Sequence, residues 1–132
     1  MNSAQYQQLV ETRQERRRLK PAPDDRLYVG VRSVEEGAVL LYIDDRDLPG
    51  RKLPLLPSLR LVNHSPTGFE WGYAGSGPAQ TALALLLDAT GDPDVARGRH
   101  QQFKFEVVAN FGREEWKLSA NSVRKWVNTG AL

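Results

Sequence analysis

The stretch Pro78-Ala79-Gln80-Thr81-Ala82-Leu83-Ala84-Leu85-Leu86-Leu87-Asp88-Ala89-Thr90-Gly91 decides the fold. Pro78 fits a first helical position, Gly91 fits a left-handed C-terminal stop, and Pro93 lies just beyond. Between them, Ala79, Ala82, Leu83, Ala84, Leu85, Leu86 and Leu87 leave almost no polar face. A helix that is apolar all round has no side for water, so it is buried. The pattern predicts a central helix over 78–90 as the spine of the core.

Upstream, the periodicity changes from helix to strand. Leu27, Val29 and Val31 alternate with Tyr28, Gly30 and Arg32, so the three aliphatic residues share one side of a strand. Glu35-Glu36-Gly37 is a turn signal, and Ala38 to Ile43 is a continuous apolar run suited to a second strand. The two make a hairpin, ended by Asp44-Asp45-Arg46-Asp47 and Pro49-Gly50. Pro54 and Pro57 speak against a regular central strand through 53–57. Leu59 and Leu61 resume an alternation, and Phe69, Trp71 and Tyr73 alternate with Glu70 and Gly72 as one strand face would.

Downstream, Asp92-Pro93-Asp94 leads into a helical pattern over roughly 95–110 carrying Phe103, Val107, Val108 and Phe111, with Gly112 as its stop. Trp116-Lys117-Leu118 suits a short strand. Ser119 suits the cap of a last helix bearing Val123, Trp126 and Val127. The expected fold is therefore α+β. A small, mainly antiparallel sheet from residues 27–73 packs on the buried helix, with two further C-terminal helices and an N-terminal helical arm. We divide the chain into a basic arm with a Pro-rich hinge, 1–23, and a single domain, 24–132.

The composition excludes several classes. With 132 residues, 40% of them hydrophobic, the chain suits one domain with a real core. It has no cysteine, which excludes a disulfide scaffold, a Cys-ligated zinc module and a thiol enzyme. No run of 18 apolar residues occurs, so no membrane span is expected. The formal charge is +2, but it is unevenly placed. Residues 1–20 are net +3 and the remaining 112 residues are net −1. The arm has helix-forming composition and no secretory-signal pattern. Tyr6, Leu9 and Val10 share a helical face that continues as Arg13, Arg16, Arg17 and Lys20. Such a basic stripe suits phosphates or an acidic protein surface. The alternative is a solvated helix docked by its three apolar residues.

Other candidates are thinner. Gly72 to Pro78 is glycine-rich and leads into a helix N-terminus, where free N–H groups attract anions. Glu70, Tyr73, Ser76, Gly77 and Gln80 would line such a ligand site, or the run is a structural turn. It lacks the Gly-Lys-Ser/Thr of a P-loop and the spacing of a dinucleotide fingerprint. His64, if it met Ser76 or Glu70, would complete a nucleophile–base set, although nothing in the sequence requires the meeting. Arg97, Arg99, His100 and Lys104 form a second basic cluster without a recognised nucleic-acid motif. Asp44, Asp45 and Asp47 lack the Gly-containing spacing of a calcium loop. No catalytic residue, cofactor or metal is assigned.

The run Asn63-His64-Ser65-Pro66-Thr67-Gly68-Phe69-Glu70-Trp71-Gly72-Tyr73-Ala74-Gly75-Ser76-Gly77-Pro78-Ala79-Gln80 resembles the signature of a family of small uncharacterised bacterial proteins, also met on phages and plasmids. Tyr28-x-Gly30, Phe103-Lys104, Val107-Val108-Ala109, Trp116-Lys117-Leu118 and Trp126 extend the likeness over about residues 27–127 and leave the arm outside it. The resemblance implies a cytoplasmic domain of the mobile-element kind, with no reaction or catalytic residue to carry over. The function expected is non-enzymatic binding of a macromolecular partner, nucleic acid or an acidic protein surface. The alternatives are a small-ligand, anion or hydrolytic site at Gly75–Gln80, and a structural subunit that oligomerises. The oligomeric state stays open.

Overall fold

The computed structural model describes residues 19–45 and 49–132. Arg13, Arg16 and Arg17, with Tyr6, Leu9, Val10 and Asp47, lie outside the described residues. Lys20 is within them and is exposed.

Strand β1 (Leu27–Ser33) pairs with β2 (Gly37–Ile43) as an antiparallel hairpin, Leu27 opposite Ile43 and Ser33 opposite Gly37. The Ser33 hydroxyl accepts from the N–H groups of Glu35 and Glu36 and closes the turn. β3 is only Arg51–Lys52, and β4 is Trp116–Ser119. The sheet order is β3-β2-β1-β4, all antiparallel. The fold is α+β as expected, but the sheet draws on 27–52 and 116–119 rather than on 27–73.

Helix α1 is Leu56–Leu61, with Pro57 in its first turn. The alternation expected through Leu59 and Leu61 is thus a helix turn instead, since proline's fixed φ suits a helix start. Helix α2 is Ser76–Thr90. It begins two residues earlier than expected: Gly75 is the N-cap, Pro78 lies third, and the Ala79 N–H donates to the Gly75 carbonyl at 3.0 Å. The first-turn N–H groups have no partner within the helix, so proline's missing donor costs nothing there. Every residue from Gly77 to Leu87 is buried, as the all-round apolar pattern predicts. Gly91 ends the helix with φ 67°.

Helix α3 is Pro93–Glu106, opened by the Asp92 side chain accepting from the N–H groups of Asp94 and Val95. A short 3-10 turn, Val108–Asn110, follows. Helix α4 is Ala120–Thr129, and its Ser119 cap accepts from the Ser122 N–H at 3.0 Å.

Residues 69–73 are irregular, not a strand. Phe69 and Trp71 are buried, whereas Tyr73 is 48% exposed, so the three aromatics do not share a face. A backbone dihedral and a pair of hydrogen bonds explain this. Gly72 adopts φ 84°, which turns the chain out of the extended region. The backbone N–H and carbonyl of Glu70 are both taken by the Thr81 hydroxyl of α2, not by a neighbouring strand.

The sheet has two unlike faces. Tyr28, Ala38, Leu40, Tyr42, Trp116 and Leu118 face the helices and join their core cluster. Gly30 lies on this inner face because the Trp116 indole crosses it: a Cβ there would sit 2.1 Å from Nε1. The indole also stacks on Phe111 and meets Trp71 edge-on, so it has nowhere to move. Gly30→Ala is expected to cost about 2 kcal/mol, in the range for overpacking a filled core. A urea unfolding curve displaced by less than about 0.5 kcal/mol would show that the indole shifts freely.

Candidate functional site

The site is built around the loop that follows α1. Gln80 of α2 is fully buried and turns its side chain towards that loop. Its Oε1 accepts from the backbone N–H groups of His64, at 2.8 Å, and Ser65, at 3.1 Å. Its Nε2 donates to the Ser58 hydroxyl at 2.9 Å, and that hydroxyl donates to the Leu55 carbonyl. The Ser65 hydroxyl donates to the Gly68 carbonyl at 2.7 Å. One amide side chain thus fastens α1 and the His64 loop to the central helix.

The loop presents the His64 ring to His100 of α3. Their Nε2 atoms are 2.9 Å apart, with ring centroids 5.0 Å apart. His100 Nδ1 lies 3.0 Å from the Ala96 carbonyl and 2.8 Å from the Arg97 carbonyl. Two acceptors require a proton on that nitrogen, so neutral His100 carries its lone pair on Nε2. His64 then donates its Nε2–H, and its own lone pair rests on Nδ1. Lys104, one helical turn beyond His100, buries its stem and sets its ammonium 4.0 Å from the Phe105 ring centroid. Burial, His100 and Lys104 together hold His64 below its ordinary value.

The unfolded chain protonates His64 near 6.5, the folded chain only at lower pH. Between the two the unfolded state binds more protons, so stability falls as pH falls. We expect urea midpoints to decline from about pH 7 to about pH 5, and His64→Gln to flatten that decline. An identical decline in the variant would assign the effect to other groups.

The other sequence candidates are placed as follows. Glu70, Tyr73, Ser76 and Gly77 gather at the start of α2, but Gln80 points away from them into the His64 loop. Glu70 pairs with Arg32 at 2.9 Å, and the Arg32 guanidinium lies over the Trp71 ring. The Tyr73 ring covers Gly75, and Gly77 packs against Glu70. His64 meets His100, not Ser76 or Glu70. Arg97 approaches Asp94 at 3.7 Å, while Arg99 donates to the Val127 carbonyl and covers the Trp126 ring. Asp44 pairs with Arg26. Among the described residues no group of three or more His, Cys, Asp or Glu is arranged to hold a metal ion, and no helix is long and apolar enough to cross a membrane.

A second feature is the outer face of the sheet. The register sets Leu27 opposite Ile43, Val29 opposite Leu41 and Val31 opposite Val39. These six form a continuous aliphatic surface that is not part of the core cluster. Val29, at its centre, is 6% exposed, and the other five are half-buried. Lys117 stands opposite Val29 on one side and Lys52 opposite Leu41 on the other, both exposed. Lys52 is paired with Glu36.

The sequence model of one family matches residues 28–129, from β1 to the last residue of α4. The chain belongs to DUF6166, a family of unknown function. Apart from Leu27, the DUF6166 match takes in every strand and helix of the described residues and both features above, and it leaves the basic arm out. Its span is close to that of the resemblance read from the sequence. No curated protein and no solved structure matches the chain.

Proposed function

We propose that this DUF6166 chain is a non-enzymatic protein-binding module of bacterial or mobile-element origin, acting in the cytoplasm on an acidic, amphipathic segment of a partner protein. The observation that carries the reading is the outer face of the sheet. Six aliphatic side chains in register stand outside the core cluster, Val29 buried at their centre and the other five half-buried, and a contiguous aliphatic face away from the core suits an interaction site. A segment with an apolar stripe would cover it, and acidic flanks would meet Lys117.

Nucleic acid suits this face poorly. Phosphates need cations and bases need aromatic platforms, and an aliphatic surface supplies neither. A second copy suits it less well than an acidic partner, because stacking two such faces brings lysine-bearing rims together.

The test uses the full chain as bait in an extract of its source cells, followed by purification of the captured protein. We expect the double variant Val39→Thr with Leu41→Gln to weaken that purified protein's binding by about tenfold or more, as loss of a buried apolar contact does. Removing residues 1–18 is expected to weaken binding mainly at low salt. Binding unchanged by the double variant, or self-association through this face in light scattering, would overturn the reading.

A further inference from the structure

The geometry points to a metal site where His64 meets His100, a two-imidazole clamp for a divalent transition ion of the zinc, copper or nickel class. It lies between α3 and the loop after α1, and no sheet residue takes part. The first observation is that the two donors converge. Their Nε2 atoms lie 2.9 Å apart and their ring centroids 5.0 Å apart. Imidazole nitrogens stand about 2.0–2.1 Å from such an ion. Two on one ion are therefore about 2.9 Å apart at a right angle and about 3.3 Å apart at the tetrahedral angle, with ring centroids about 4.5 and about 5.2 Å apart. Both observed separations fall within these spans. The second observation is that both rings are held from behind. His100 is buried, and its Nδ1 proton is taken by the Ala96 and Arg97 carbonyls, which sets its lone pair on Nε2. A backbone carbonyl on the far nitrogen is a usual support of a metal-bound histidine. The His64 backbone is fastened by Gln80, which has no exposed surface. Donors fixed in advance lose little freedom when an ion binds.

Imidazole ligates through a lone pair, so the proton between the two rings has to leave the gap. In the metal-free pair, His64 donates its Nε2–H to His100. On binding, that hydrogen bond breaks, two Nε2–metal bonds form, and the His64 proton moves through solvent to Nδ1. His100 keeps its Nδ1 proton, so no proton is gained or lost overall. The donors also select the ion. Magnesium and calcium take oxygen ligands, whereas imidazole suits zinc, copper and nickel. No third His, Cys, Asp or Glu completes the set among the described residues, so the ion keeps open positions for water or for a ligand carried by another molecule. A closed structural zinc site takes a full tetrahedral set of protein donors, so this two-donor clamp is an exchangeable one.

The chain has only two histidines, so a count of bound imidazoles reads the site directly. The experiment adds copper(II) to the tag-free full chain and counts the coordinated imidazole nitrogens by pulsed EPR. In parallel, zinc and magnesium are titrated while the ring nitrogens are followed by NMR. We expect one copper ion held by two imidazoles. Zinc is expected to move the His64 proton from Nε2 to Nδ1 while the His100 Nδ1 proton stays, and magnesium to leave both in place. His64→Gln is expected to weaken zinc binding by about tenfold or more, because a single imidazole loses the gain from two linked donors. The proton positions are read in the wild type, so the test does not depend on how well a variant folds. Copper held by one imidazole or none, a His64 proton that stays on Nε2 at saturating zinc, a magnesium response equal to that of zinc, or zinc binding undiminished in His64→Gln would overturn the proposal. The sheet-face variant Val39→Thr with Leu41→Gln is expected to bind zinc as the wild type does, so the two proposals fail separately.

Discussion

Replacing Asp88 by alanine is expected to lower the stability of this chain by about 3 to 4 kcal/mol, the largest effect of any single surface-reaching residue. Asp88 accepts both 3.0 Å contacts from one nitrogen of Arg26, and its Oδ2 also accepts from the Tyr28 hydroxyl. Arg26 in turn reaches Asp44 and lies 4.2 Å from the Tyr42 ring centroid. The cluster ties β1 and the end of β2 to the last turns of α2. Burial, then Asp88, pushes the Tyr28 phenol far up, so it stays a donor at every working pH. The hydrogen bond to Arg26 holds the Asp44 carboxyl below its ordinary value. Its contribution is present at neutral pH and is lost as pH falls through that lowered value, below 3.8. Removing Asp88 leaves a partly buried guanidinium with half its partners and a buried phenol with none. Urea unfolding measures the loss. Tyr28→Phe alone should cost about 1 kcal/mol, and the double variant less than the sum, because the two share one bond. A loss below about 1 kcal/mol for Asp88→Ala would show that the cluster is replaceable by water.

Gln80→Ala is expected to cost about 3 kcal/mol, for a different reason. The residue has no exposed surface, and its amide serves three groups at once. Truncation leaves the N–H groups of His64 and Ser65 and the Ser58 hydroxyl without their partner, and also opens a cavity beside α1. The effect should be local as well as global. Amide exchange at His64 and Ser65 should become fast while that of Leu85 and Leu86 stays slow relative to the lowered stability. Protected amides at His64 and Ser65 in the variant would show that the loop does not depend on Gln80.

What the sequence revealed divides along physical lines. The central helix was legible because its signals are local: Pro78 and Gly91 bracket a segment with no polar face. The hairpin, the Ser119 cap and the short strand at Trp116 were legible for the same reason. Residues 69–73 misled because period-two spacing was read without Gly72, whose positive φ and the Thr81 hydroxyl decide the path. Alternation in β1 placed Leu27, Val29 and Val31 together, yet it cannot tell which side meets a helix. Here the inward side is taken by Tyr28, Gly30 and Arg32, whose partners Asp88, Trp116 and Glu70 lie 38 to 86 residues away. The His64–His100 pair was illegible for a similar reason, since its members are 36 residues apart and neither carries a local signal. Gln80 was singled out as a ligand-facing residue at a helix start, but a buried amide is better used to satisfy backbone groups in a loop.

The outer face of the sheet is the surface on which the proposed partner would dock. The most direct measurement is methyl NMR of the full chain while the purified partner is added. We predict that methyl signals of Leu27, Val29, Val31, Val39, Leu41 and Ile43 shift together and saturate at one stoichiometry, while those of Leu83, Leu85 and Leu86 in the core stay put. Saturation that leaves the six unmoved would contradict the account.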